Sequence, residues 1–416
     1  MSRQNKTAAA AALTALSFAS PVETILRCVW NTPGVARDDG APSAGLPVIW
    51  TSKPGVGKSS RIRGAARSAG FQLETVISSL REPTDFIGLP VPAAGGVMQY
   101  VPAAWAVRAS DAEHAVVFFD EINGAPQAVQ MALLRVVLEG VVGDLNLPNT
   151  VRFIAAMNGS QDCPGRWDLD SALANRFLHL PWPDLQTRNW SQWLLGATTE
   201  ASDPVDPAEE YARITKAWDS KWAQARGMVA AFIERRPDLL LVMPQAGDPS
   251  ASGAWASPRS WELAARALAG SMLHGLPEQD GDALMAGAVG ASIAQEFAAW
   301  RAAADLPDPV ALLDGKVKFQ HDATRPDRTM ATLSGCAAVL LNPVCENRTG
   351  RGERMFQAML ACLDGGAADM AVLAHQSMLE SKQHRGALMA APSFVKVSAR
   401  MEPFTRAAGM RASGTP

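Results

Sequence analysis

The octapeptide Ser52-Lys-Pro-Gly-Val-Gly-Lys-Ser59 decides the fold. An apolar run, Leu46 to Thr51, leads into it, and a helical pattern from Lys58 to about Ala69 leaves it. That pattern is stopped by Gly70, at the position after a helix that favours φ > 0. Strand, glycine-rich turn and helix together form the setting in which backbone N–H groups turn inward around a phosphate. Pro54, Gly55, Val56 and Gly57 make the turn, and the two glycines admit conformations closed to other residues. The positive end of the following helix adds to the pull on an anion. Lys58 supplies a point charge to β- and γ-phosphates, and the Ser59 hydroxyl is placed to ligate Mg²⁺. Taken alone, the octapeptide is also compatible with a glycine-rich turn in an unrelated fold. Its first position, normally Gly, is Ser52, where a demand for φ > 0 would strain the residue.

Outward from this turn, β-type runs recur at Phe71 to Ile77, Ala115 to Phe119 and Val151 to Met157, with helical patterns between them. Such alternation predicts βαβ units and a parallel sheet. The run Val116-Val-Phe-Phe119 delivers Asp120-Glu121 at a strand's C-terminal edge, where ligands bind in open α/β sheets. Asp120 is the candidate Mg²⁺ holder, through water, and Glu121 the group that orients and deprotonates an attacking water. An acidic turn after a strand is common in isolation; here it follows the phosphate loop by about sixty residues. The fourth run ends in Asn158, whose neutral amide can bridge the γ-phosphate and that water. Arg176, in Asp170-Ser-Ala-Leu-Ala-Asn-Arg-Phe177, is placed to project into a neighbouring subunit's site and stabilise charge at the γ-phosphate. Its plainer alternative is a surface salt bridge. Arg259, in Ser257-Pro-Arg-Ser-Trp261, sits on the first turn of a helix and could reach back to the phosphates.

Past Pro183 strand-like runs stop. Tyr211, Ile214, Trp218, Trp222, Ala225, Val229 and Phe232 recur at steps of three and four, predicting one helix from Ala208 to Arg236. Further helices are expected from Pro258 to Leu273 and, unbroken, from Ala283 to Ala304. Gly95-Gly96 between β-type residues predicts a hairpin over Pro90 to Tyr100. The expected division is a helical segment over 1–45, an α/β domain over 46–184, a helical lid over 185–304 and a helical region over 305–416.

Composition bounds the partners. Of 416 residues 48% are hydrophobic and 19% charged, which excludes a disordered chain. The net charge of −3 provides no global field for nucleic acid or an anionic membrane. Five widely spaced cysteines without a CxxC pair argue against a disulfide framework or zinc site and suit a reducing cytoplasm. Arg3 and Lys6 before the run Ala8 to Ala19 have the outline of a signal peptide. The run is mostly alanine, however, and is read as a frayed or docking first helix. No membrane span is expected.

Five elements in this order resemble the AAA+ ATPases, most closely the MoxR family. The similarity rests on the phosphate loop, Phe119-Asp-Glu-Ile-Asn-Gly-Ala-Pro-Gln-Ala-Val-Gln-Met-Ala-Leu-Leu134, Thr84-Asp-Phe-Ile-Gly88 before the hairpin, Asn175-Arg-Phe177 and Ser257-Pro-Arg259. It is strong over Leu46 to Pro183, thin over Trp255 to Leu273, and absent after about Ala304. The resemblance implies a five-stranded P-loop core with a helical lid, ATP and Mg²⁺ as cofactors, and a hexameric homo-oligomer with nucleotide between subunits. It also implies remodelling of a protein client, often one with a von Willebrand A domain. By matching position, Lys58 and Ser59 belong to the first nucleotide motif (Walker A) and Asp120 and Glu121 to the second (Walker B). Asn158 is then the first sensor, Arg176 the arginine finger and Arg259 the second sensor. The family's usual Arg after Asp-Glu-Ile-Asn is Gly124 here. Two other readings share this core: a DNA-directed motor of restriction type, and a scaffold that holds ATP with little turnover.

Overall fold

The computed structural model describes residues 18–36, 42–159, 168–184, 186–195, 206–245, 247–304, 306–322, 324–343 and 345–412. The expectations on Arg3, Lys6, the alanine run as far as Ser17, and Cys163 lie outside them.

A helix, α1 (Val22–Asn31), precedes the first strand of the central sheet. That sheet has five parallel strands, β1 (Val48–Ser52), β2 (Gln72–Ile77), β3 (Ala115–Asp120), β4 (Val151–Asn158) and β5 (Leu178–Pro181), in the order β5-β1-β4-β3-β2. Ala115 to Phe119 are buried, as a strand covered on both faces requires, which explains a continuous rather than alternating apolar run. Helix α2 (Lys58–Ser68) follows β1 and α3 (Gln127–Glu139) follows β3. Beneath the sheet Phe119 stacks on Phe153, with ring centroids 6.0 Å apart, and meets Trp105 edge-on at 6.2 Å. Register sets Ser52 beside Asn158 and Ile77 beside Asp120, so the C-terminal ends of four strands share one edge. A hairpin of Leu89–Pro92 and Met98–Val101 turns through Gly95 and Gly96, both at positive φ, as the sequence predicts. Val97, Met98 and Tyr100 on it are exposed.

One buried residue escapes any reading by polarity. Arg152 on β4 is 1% exposed. Its guanidinium donates to the carbonyls of Trp30 and Thr150, each at 2.7 Å, and lies 4.4 Å from the Phe71 ring centroid. Burial pulls its pKa down to about 10. Arg152→Ala leaves two carbonyls unpaired and a gap against Phe71, so it should cost about 3 kcal/mol of stability. Urea unfolding checks this, and a change below about 0.5 kcal/mol would contradict it.

The chain forms two compact units, the first of residues 1–216 and 241–295, the second of residues 217–240 and 296–416. These limits differ from the expected 184/185 and 304/305. Two of them fall inside α5 (Pro207–Arg235) and α8 (Ala291–Ala304), because helical periodicity shows that a face is buried and not what buries it. In the first unit α6 (Pro258–Leu273) packs on α7 (Glu278–Val289), and α7 packs on β5. A Cβ at Gly287 of α7 would come within 2.8 Å of the His179 carbonyl oxygen, so only glycine allows this approach. The single helix expected over Ala283 to Ala304 is broken: Gly290, at φ 91°, ends α7 before α8 begins.

The second unit is helical, with α10 (Pro326–Leu340), α11 (Arg348–Asp364), α12 (Val372–Glu380) and α13 (Phe394–Ala412) after a short α9 (Pro309–Leu313). Leu333, Phe356, Met359 and Val397 lie in its core. Helices α5 and α10 cross glycine on glycine, since a Cβ on Gly227 would stand 2.5 Å from the Gly335 Cα. Trp218 stacks on Trp222 at 5.7 Å, and Phe232 packs on Phe297 and Trp300. Among the described residues Cys28, Cys336, Cys345 and Cys362 are unpaired, and no helix is long and apolar enough to cross a membrane.

Candidate nucleotide site

The phosphate loop has the shape its glycines foretold. Gly55 and Gly57 lie at φ 77° and 83°, and Gly57 caps α2 in the left-handed conformation. A Cβ at either would meet nothing within 4 Å, so both positions face open space. Pro54 is exposed and Val56 half-buried beside them. Ser52 departs from the expected strain. It ends β1 and is not among the residues at positive φ, so no left-handed backbone is demanded of it. Its hydroxyl accepts from Lys58 Nζ at 2.6 Å and donates to the Lys53 carbonyl at 2.8 Å.

From the sheet edge the remaining side chains meet this loop. Lys58 Nζ also donates to Asn158 Oδ1 at 2.9 Å. Ser59 Oγ donates to Asp120 Oδ2 at 2.7 Å. Glu121 takes φ 54° and ψ 41°, a left-handed conformation rare outside glycine and stored at functional sites at a cost on the order of 1–3 kcal/mol. Its Oε2 accepts from Ser79 Oγ at 3.0 Å. Asn123 Nδ2 donates to the Asn158 carbonyl at 2.9 Å, tying the turn after β3 to the end of β4. Gly124 lies in that turn, a short 3₁₀ helix over Ile122–Gly124.

This donor set fits Mg²⁺. A hydroxyl and a carboxylate oxygen already stand together at Ser59 and Asp120, both hard oxygen ligands. No group of three or more His, Cys, Asp or Glu among the described residues could hold a metal alone. A cation here would draw its other ligands from phosphate and water, the habit of Mg²⁺.

Arg176 and Arg259 form a second group. Asp170 caps the short helix α4 (Ser171–Ala174), its Oδ1 accepting from the Ala172 and Leu173 N–H groups. Arg176 follows that helix, half-buried, donating to the Ala172 carbonyl, while its Nε has no hydrogen-bond partner. Burial lowers its pKa, and the charge of Arg259 lowers it further. Arg259 is exposed on the first turn of α6, beneath a capping box of Ser257 and Ser260. Arg176 therefore feels the charge of Arg259. His179, on β5, holds the end of α4 through a 2.8 Å bond between its Nε2 and the Ala174 carbonyl, and burial pushes its pKa down to about 4.

Sequence reasoning missed Ser79 and the side chain of Asn175. Ser79 lies just beyond β2, next to the strand carrying Asp120, and polar residues past such strand ends are the available signal. Asn175 gave none.

The comparison with family models agrees with this geometry. Residues 48–177 match the family model of the AAA domain, dynein-related subfamily. A curated relative, Midasin of Giardia intestinalis, is 26% identical over 157 residues, which is 36% of this chain and 3% of that protein. A crystal structure of a candidate ATPase from Cytophaga hutchinsonii covers 71% of this chain, and 94% of its own chain is matched, at 14% identity and a TM-score of 0.47. Fold, loop and matched segment together define residues 48–177 as a nucleotide-binding domain of the AAA+ ATPase class. Within that class the matched model is the dynein-related one.

Proposed function

We propose that this chain hydrolyses ATP as a MoxR-like ring and uses the energy to remodel or activate a partner protein in the cytoplasm. The observation that supports this most is the meeting of Lys58, Ser59, Asp120 and Asn158 at one sheet edge, with Glu121 directly after Asp120. The loop of Pro54 to Gly57 and Lys58 holds the phosphates. Mg²⁺ at Ser59 and Asp120 would neutralise charge on the β- and γ-phosphates. Glu121 takes the proton of the attacking water, with Ser79 fixing its carboxylate, and Asn158 orients that water against the γ-phosphate. Arg176, reaching a neighbouring copy's site, stabilises charge that develops on the γ-phosphate, and Arg259 stands with it. A client protein, including one with a von Willebrand A domain, is favoured over DNA by the net charge of −3. The strain that would favour a scaffold with little turnover is absent at Ser52.

Steady-state phosphate release from Mg·ATP, with and without duplex DNA at physiological salt, tests the proposal. Release indifferent to DNA is the expected result. Stimulation by DNA would replace it with a DNA motor, and no release with a scaffold.

A further inference from the structure

The turn bearing Arg176 and the helix bearing Arg259 are tied together by one buried amide. Asn175 is 4% exposed. Its Nδ2 donates to the Trp255 carbonyl at 3.0 Å, and its Oδ1 accepts from Ser257 Oγ at 2.7 Å. Ser257 is itself the N-cap of α6: its Oγ accepts from the Ser260 N–H at 3.1 Å, and Ser260 Oγ accepts from the Ser257 N–H at 2.8 Å and donates to the Trp255 carbonyl at 2.9 Å. One residue after Asn175 comes Arg176, and two after Ser257 comes Arg259. The strut therefore fixes two neighbouring backbones from which two like charges project. The charge of Arg259 disfavours that of Arg176, so the arrangement is maintained by the strut and rewarded when an anion meets both.

We propose that Asn175 is a positioning residue that sets Arg176 and Arg259 at the spacing needed to clamp the transferring phosphoryl group. The proposal rests on the ATPase reading above. Neither bond is available to an apolar residue, and only a side chain with both a donor and an acceptor makes the two at once. The amide touches no nucleotide; it acts through the arginines.

The test uses the full chain with Asn175→Ala, Ser257→Ala, Arg259→Ala and the Asn175→Ala/Arg259→Ala pair. Turnover, KM for ATP, affinity for ADP, affinity for ADP with aluminium fluoride, and melting temperature are measured for each. Asn175→Ala should lower kcat about tenfold and weaken ADP–aluminium fluoride about as much, with KM and ADP affinity changed by less than about twofold. The pair should lose less than the product of the Asn175→Ala and Arg259→Ala losses, since part of what Asn175 does is to place Arg259. Kcat kept per folded molecule with a lowered melting temperature, or losses that multiply in the pair, would overturn the proposal by making Asn175 a structural residue only. Should Asn175→Ala fail to fold, Ser257→Ala carries the decision. It leaves the Trp255 bond in place and must show the same selective loss at smaller size, and its failure to do so overturns the proposal equally. Two controls separate this inference from the reading beneath it. A parent chain without turnover, or a Glu121→Gln chain as fast as the parent, sinks the ATPase reading; where both controls behave and Asn175→Ala is silent, only the strut is lost.

Discussion

Glu121→Gln should lower phosphate release about a thousandfold while leaving ATP binding within about twofold of the parent. The argument runs through geometry first. Glu121 follows Asp120, whose carboxylate meets Ser59, and its backbone is turned into a left-handed conformation. Ser79 Oγ holds one of its oxygens at 3.0 Å. An amide of the same shape keeps the packing and accepts from Ser79, and what it loses is the ability to take a proton. The strained backbone remains, so stability should change little, and equilibrium binding of ATP reports the intact loop of Lys58 and Ser59. Unchanged hydrolysis would remove Glu121 from the role of base.

Arg176→Ala should cost about as much, in the range of 10³-fold or more that an arginine finger contributes, and for a different reason. The guanidinium is half-buried, its Nε lacks a partner, and Arg259 adds a like charge beside it. A surface salt bridge, the plain alternative, would show a carboxylate in contact; the hydrogen bond of Arg176 goes to the Ala172 carbonyl instead. Such a cation is costly to hold and gains most when an anion arrives. Binding of ATP to the variant's own loop should persist, and turnover should be lost.

Much of this site was legible because each element announces itself locally. β1, β3 and β4 are apolar runs with a polar residue at the C-terminal end, and the ends carry Ser52, Asp120 and Asn158. Helices α2 and α3 are bounded by glycines that the structure places at positive φ, Gly57 before α2 and Gly140 after α3. What stayed hidden depends on partners far along the chain. Asn175 and Ser257 are 82 residues apart, and nothing in either neighbourhood signals the bond. Arg152 is charged within the run Val151 to Met157, and the Phe71 ring and Trp30 carbonyl that receive it lie far along the chain. Gly290 lies in an Ala- and Gly-rich stretch where a glycine inside a helix and a glycine ending one look alike; only its φ of 91° tells them apart. The loop at Ser52 went the other way: the substitution for glycine suggested strain, whereas the strand ends there in ordinary geometry and the hydroxyl serves Lys58.

The two inactive variants also allow the most direct test of the account, which places one catalytic site between two copies of the chain. Glu121→Gln lacks the base and keeps the finger; Arg176→Ala lacks the finger and keeps the base. In an equimolar mixture, roughly one interface in four of a randomly assembled ring would join an intact Glu121 to an intact Arg176. Phosphate release from Mg·ATP is measured for each variant alone and for the mixture. The account predicts two dead preparations that recover activity on mixing, to a substantial fraction of the parent rate; a mixture as inactive as its components would contradict it.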